Sequence, residues 1–294
     1  MHNARQSALI TGANSGLGQA MATALAAEGM DIGIVARDAA RGERARELMC
    51  QQTGNPRVRL YVADLADQQS VRALAEAVLK DFEQLHVLIN NAATAFPRRR
   101  LSPDGIECAL AVNHLAPFLL THLLLERLKG SAPARILHVG TRMNTALDFD
   151  DLNWERRRYR MMQAYGQSKL GLLHQTFELA RRLQGSGVTV NCVFPGVFKS
   201  NLGGTDGAQG PGWKLIALLL GWALPTPEQA AKRVLRLMRD PSLADMNGCY
   251  FDGRQPLTAP RQARDLDANR RLWQISEHLT GQQPDRVQIF KPAV

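Results

Sequence analysis

Two residues in the second half of the chain could exchange a proton with a substrate. Tyr165-Gly166-Gln167-Ser168-Lys169 stands at the start of a stretch with helical periodicity. A spacing of four puts the Tyr165 phenol and the Lys169 ammonium on one helix face. A free phenol titrates near about 10, too high for a good base at neutral pH. A cation beside it lowers that value, so the pair could take a proton from an alcohol or return one to an alkoxide. The pattern alone is common, and a surface tyrosine on an amphipathic helix would show it too.

A second group of residues suits phosphate. Thr11-Gly12-Ala13-Asn14-Ser15-Gly16-Leu17-Gly18 follows a short apolar run and leads straight into a helical pattern. Glycines permit the tight turn and let backbone approach a pyrophosphate, while the helix start offers free N–H groups and a positive dipole end. The same glycines would also suit a purely structural turn. The next strand-like run ends Val35-Ala36-Arg37-Asp38. An acid at this position binds the ribose 2′-hydroxyl of NAD, whereas a cation can pair with a 2′-phosphate. Arg37 therefore favours NADP(H), unless it pairs with Asp38 or Glu43. Asp64 and Leu65 end a third run, and Asp64 could accept from an adenine amino group or cap the following helix.

The elements needed to position these groups are legible as an alternation. Short apolar runs at Ala8–Thr11, Asp31–Arg37, Arg57–Ala63, His86–Asn90, Ala134–Thr141 and Val188–Phe194 read as strands. Helical patterns lie near 17–28, 39–52, 68–82, 103–129 and 162–184, with a further helix at 227–239 and a strand near Cys249–Phe251. Such order predicts an α/β fold: one Rossmann-type domain over 1–294 with a doubly wound, largely parallel seven-stranded sheet. The tail beyond Arg261 reads as a helical extension.

Composition narrows the class. Four scattered cysteines make no pair suited to a disulfide framework, and the histidines show no metal-ligand spacing. His138 reads as a core histidine. The longest apolar stretch, Trp213–Leu224, is too short for a bilayer, and no targeting segment precedes the first strand. These features predict a cytoplasmic protein without stable membrane insertion. A net charge of +9 rests partly on Arg98–Arg100 and on Arg156, Arg157, Arg158 and Arg160. Without a helix-turn-helix or an aromatic-interleaved basic face, these read as solvated loops, and no nucleic-acid partner is expected.

Taken in order, the motifs resemble the short-chain dehydrogenase/reductase family over about residues 7–255. They are the glycine turn, Asn90-Asn91-Ala92, Asn113, Thr141, Tyr165 with Lys169, and Pro195-Gly196. The resemblance implies hydride transfer between a nicotinamide and a carbonyl or alcohol carbon. It makes Tyr165 the acid/base, with Lys169 lowering its pKa and holding the nicotinamide ribose. Thr141 would hold the substrate oxygen, and Asn113 would position a water linking Lys169 to solvent. Gly12, Asn14, Ser15, Gly16, Leu17 and Gly18 would line the phosphates, and Asp64 and Leu65 the adenine. Asn91 and Ala92 would meet the adenosine ribose, and Pro195, Gly196, Val197 and Ser200 the nicotinamide. Homodimers and homotetramers are common in the family.

Ala36-Arg37-Asp38, Val112-Asn113-His114-Leu115-Ala116-Pro117-Phe118, Asp150-Asp151-Leu152-Asn153-Trp154 and Gly248-Cys249-Tyr250-Phe251 are similar to the retinol dehydrogenase and WW-domain oxidoreductase-like branch. Two departures stand out: Ala93 where glycine is usual, and Gly140-Thr141 where a serine pair is usual. Threonine keeps the hydroxyl but is stiffer at χ1. Residues 201–224, glycine-rich and then apolar, fall where the family places a substrate lid; a dimer contact or a core helix would suit the same pattern. Trp154 and Tyr159 could edge the pocket or anchor their loop. The expected substrate is an apolar aldehyde, ketone or alcohol. A carbon–carbon double-bond reductase like the protochlorophyllide reductases, and a non-catalytic NADP(H)-binding scaffold, are the rival readings.

Overall fold

The computed structural model describes residues 5–143, 145–198 and 224–282. Seven strands form one parallel sheet: β1 (Ser7–Thr11), β2 (Asp31–Ala36), β3 (Val58–Val62), β4 (Val87–Asn90), β5 (Ala134–Val139), β6 (Val188–Val193) and β7 (Cys249–Phe251). Their order is β3-β2-β1-β4-β5-β6-β7. Parallel neighbours cannot be joined by hairpins, so the chain crosses the sheet between strands. The helices that do so are α1 (Gly16–Ala27), α2 (Ala39–Thr53), α3 (Gln68–Asp81), α4 (Cys108–Leu110) continuing into α5 (Ala116–Gly130), and α6 (Met161–Arg182). After β6 come α7 (Pro227–Arg239) and, beyond β7, α8 (Leu266–Thr280).

Local chemistry sets the helix ends. The Asp38 carboxylate accepts from Arg41 N to cap α2, and Gly54 closes that helix in the left-handed region. Asp67 caps α3, and Thr226 with Gln229 forms a reciprocal capping box on α7. The strands alternate sides as a pleat demands. Leu9, Val35, Leu88 and Ile136 pack against α3 and α5, while Ile10, Ile34, Ile89 and Leu137 pack against α1, α2 and α7. A third apolar cluster joins Leu110, Leu115, Leu170 and Leu173 to Leu272 of α8.

Three details differ from the sequence expectations. Strand β5 ends at Val139, so Thr141 lies two residues beyond it. The long helix begins at Cys108 and is interrupted by a π turn over Ala111–Leu115. Its span Cys108–Gly130 is long and apolar enough to cross a membrane, but 83% of its most apolar 18-residue window is buried inside the protein. It is therefore accounted for as a core helix. Ser200 and all but the last residue of the expected lid at 201–224 lie outside the described residues, as does the tail from 283 onward.

Candidate active site

The strand order reverses between β1 and β4, and ligands of open α/β sheets bind at the carboxyl ends of strands at such a point. The glycine turn leaves β1 at this place. Gly12 and Gly16 take φ of +66° and +55°, where a side chain would be strained. A Cβ on Gly16 would meet nothing within 4 Å, so the backbone there is open to an incoming group. A Cβ on Gly18 would run into the Gly12 carbonyl and the Asn91 amide; that glycine lets α1 sit close to the strands. Ser15 stands at the helix start in extended conformation with no capping bond from its side chain, and no acid lies in the first turn. The N–H groups and positive dipole end thus remain available to an anion. Asn14 and Leu17 flank this opening, Leu17 buried and Asn14 half-buried.

Asn91 is spent on the turn itself. Its amide donates to Thr11 O at 2.8 Å and Gly12 O at 3.3 Å. The Thr11 hydroxyl receives the N–H groups of Asn91 (2.9 Å) and Ala92 (3.1 Å). The Asn91 amide therefore braces the phosphate turn rather than reaching for a ribose, and Thr11, the first residue of the glycine motif, ties the ends of β1 and β4 together.

Arg37 follows β2 and is exposed, with no ion pair among the described residues. The two acids that could have neutralised it are occupied: Asp38 accepts from Arg41 N, and Glu43 pairs with Arg46. Asp64 does not cap the next helix, which Asp67 does; its carboxylate accepts from Ala66 N in a local turn, with half-buried Leu65 beside it. The residues present thus fit a dinucleotide: an open glycine cradle, an uncompensated helix end and a free guanidinium.

At the chemical end, α6 carries Tyr165 and Lys169, both buried. Burial pushes the Tyr165 phenol up to about 12, while its hydrogen bond with the Thr141 hydroxyl pulls the other way. Lys169 donates to Val139 O at 2.7 Å, and burial brings its ammonium down to about 8. The expected depression of the tyrosine by lysine is absent from this arrangement, because the ammonium is turned to the β5 carbonyl and desolvation dominates the phenol. Thr141 is held from behind by Tyr250 of β7, whose hydroxyl donates to Thr141 O at 2.9 Å. A small cleft of about 70 Å³ opens beside these groups, lined by Thr141, Arg142, Met143, Lys169, Leu173 and Tyr250. Pro195 is buried and accepts from Arg233, Gly196 takes φ of +88°, and Val197 is exposed at 64%.

Asn113 sits inside the π turn, a form of helix frequent at functional sites. Its amide oxygen accepts from Thr94 N at 2.8 Å, and its nitrogen donates to Thr94 O and to Ser168 Oγ, each at 2.9 Å. Ser168 in turn donates to Tyr165 O at 2.8 Å. Both amide N–H groups are used and the oxygen keeps one free lone pair, so a water at Asn113 must donate, to that oxygen or to the backbone carbonyl. The residue four positions on is Pro117, which has no N–H to occupy that carbonyl. Proline at that spacing was the sequence signal for the irregular turn; Ser168 and Tyr250 left no comparable mark.

The loop before α6 is anchored rather than open. Asp151 accepts from the N–H groups of Glu155, Arg156 and Arg157. Trp154 is buried with φ of +57°, the Arg157 guanidinium lying 3.7 Å over its ring and Tyr159 edge-on at 5.6 Å. The Tyr159 hydroxyl donates to Glu107, which caps α4. Trp154 and Tyr159 therefore tie this loop to the helix carrying Asn113, and part of both arginine clusters is absorbed in such contacts: Arg99 donates to Asn153 O.

A family model described as short chain dehydrogenase matches residues 6–209. The chain is 41% identical to retinol dehydrogenase 13 of Homo sapiens over 277 residues, covering 93% of this chain and 84% of that protein. Among solved structures, a protein from Mycobacterium paratuberculosis superposes with a TM-score of 0.74 at 32% identity, covering 95% of this chain and 94% of the other. A short chain dehydrogenase from Burkholderia cenocepacia in complex with NADP gives 0.65 at 28% identity, covering 84% and 96%.

Proposed function

Because the chain belongs to the short-chain dehydrogenase/reductase family of oxidoreductases, we propose that it reduces an apolar aldehyde or ketone to its alcohol with NADPH. The observation that carries this reading is the pairing of a buried phenol and a buried ammonium one helical turn apart with an open glycine cradle at the sheet's reversal point.

The nicotinamide cofactor supplies the hydride. The α1 N-terminus and the turn at Gly12–Gly18 would hold its phosphates, and Arg37 a 2′-phosphate. Arg37 supports NADP(H) over NAD(H) because the neighbouring acids leave it unpaired, and the NADP complex of the Burkholderia relative agrees with that preference. Thr141 donates to the substrate oxygen and Tyr165 gives it a proton as charge builds there. Lys169, which donates to Val139 O in this structure, would stabilise the phenolate only by turning from that carbonyl once the cofactor is bound, and protons return by way of a water on the Asn113 carbonyl. A phenol pushed up to about 12 rests in its acid form, which favours reduction over oxidation. Met143, Leu173 and Tyr250 give the cleft an apolar side that suits a hydrocarbon substrate, as does the retinol named in the human relative. We place the enzyme in the cytoplasm.

Purified protein is offered aldehydes and ketones of graded chain length with NADPH and with NADH. Turnover of apolar carbonyls with NADPH, at a KM at least about tenfold below that for NADH, is expected. Arg37→Ala should erase most of that preference by raising the NADPH value alone. Equal use of both cofactors by the native protein, or no loss in the variant, contradicts the assignment of Arg37.

A further inference from the structure

Beside Asn113 in the π turn stands His114, a fully buried side chain that the proposed reaction does not use. Its Nε2 lies 2.8 Å from Ser276 Oγ on α8, 162 residues away in sequence. Ser276 has one hydroxyl proton, and that proton goes to Leu272 O at 2.8 Å. The serine oxygen must therefore accept, and His114 must donate from Nε2. The other face of the imidazole rests on α6. A Cβ on Gly171, two residues past Lys169, would stand 3.2 Å from ring atoms Cγ and Nδ1. Only glycine there leaves the ring its ordinary room.

The backbone of the same turn is held from α6 as well. With the Gln175 amide oriented to satisfy both groups, its nitrogen donates to His114 O (3.3 Å) and its oxygen accepts from Phe118 N (3.2 Å). Those are the two groups that an uninterrupted α-helix would have joined. Helix α8 is itself fixed at its far end, where Gln68 donates to Leu279 O and Arg72 to Thr280 O from α3. Trp273 packs edge-on to Phe118 at 4.8 Å, just beyond the turn.

We infer that His114 and Ser276 form a positioning pair, through which the C-terminal helix holds the π turn and so aims Asn113 at the catalytic helix. This rests on the oxidoreductase reading for its kinetic consequence but not for its structural one. A misplacement of about 1 Å can cost a hundredfold in rate, so the pair should show in turnover although neither residue meets the substrate.

Three measurements on the full chain decide it. Hydrogen exchange is followed by mass spectrometry in native protein, in Ser276→Ala and in the double variant His114→Leu/Ser276→Ala. In Ser276→Ala, exchange across 111–118 should rise by at least about tenfold while peptides of β1 and α1 stay unchanged. The double variant removes both polar partners, so its melting temperature should recover while exchange in the turn stays raised. Turnover of the carbonyl found by screening should fall about tenfold or more in kcat in both variants, with KM for NADPH within about twofold. Unchanged exchange at 111–118, a rise spread evenly over the chain, or native kcat in the double variant would overturn the inference. If native protein turns over no carbonyl, the oxidoreductase reading fails by itself, and the exchange pattern alone decides the positioning pair.

Discussion

At neutral pH the Tyr165 phenol holds its proton, because burial places its titration at about 12. The group that changes charge near the working range is Lys169, brought down to about 8. Its folded value is below the ordinary lysine value, so the ammonium is present below about pH 8 and lost as pH rises through it. The kcat/KM for carbonyl reduction should therefore be level from pH 6 to about 7.5 and fall above 8. A profile flat to pH 10 would contradict the lysine's part. Both residues were legible from their spacing, since four positions on a helix is a geometric statement. Less legible was how Asn113, Asn91 and Thr141 are used. The side chains of Asn113 and Asn91 turn out to bond protein backbone, and Thr141 depends on Tyr250, more than a hundred residues away. Spacing in sequence carries no trace of such long-range bonds.

At the scale of elements, α1 meets β1 and β4 so closely that Gly18 has no room for a methyl group. Gly18→Ala should separate the helix from the Asn91 brace, and NADPH affinity should fall at least about tenfold. Gly16 offers a contrast: its Cβ would find open space, but its φ of +55° would strain any other residue. Fluorescence titration with NADPH separates these effects from losses in turnover; unchanged affinity in Gly18→Ala would show that the close approach is dispensable. The loop before α6 hangs on Asp151, which takes three backbone N–H groups. Asp151→Ala should lower stability by about 1–2 kcal/mol and reduce kcat more than KM for NADPH, because Glu107 and Asn113 lie on the element this loop secures. Alternation of strand and helix was readable because period and punctuation are local. The π turn was hidden in an apolar stretch long enough to look like one regular helix, with only Pro117 to mark it.

For the whole molecule, the sheet order brings the glycine turn, the Asn113 turn and the catalytic helix to the same edge, although nearly 160 residues separate Gly12 from Lys169. The sequence pattern predicted that sheet because most of its strands are bounded by glycine, proline or polar residues. The cost of filling its interior with polar groups appears in acid. His114 and His138 are lowered to about 3 and His174 to about 4 by burial. They stay neutral in the fold but charge in the unfolded chain below about pH 6.5, so stability is lost as pH falls from 6.5 toward 4. Each contributes about 1.4 kcal/mol per pH unit, or about 4 together. Urea midpoints should drop steeply between pH 6.5 and 5, less so in His174→Phe; equal midpoints would contradict the buried neutral histidines. All of these elements matter for one event, proton delivery by Tyr165 to a carbonyl oxygen beside a bound dinucleotide. The most direct measurement is NADPH-dependent reduction by native protein and by Tyr165→Phe, with NADPH affinity measured in parallel. Loss of a hundredfold or more in kcat with affinity unchanged is the predicted result. Equal turnover in the two proteins would contradict the account.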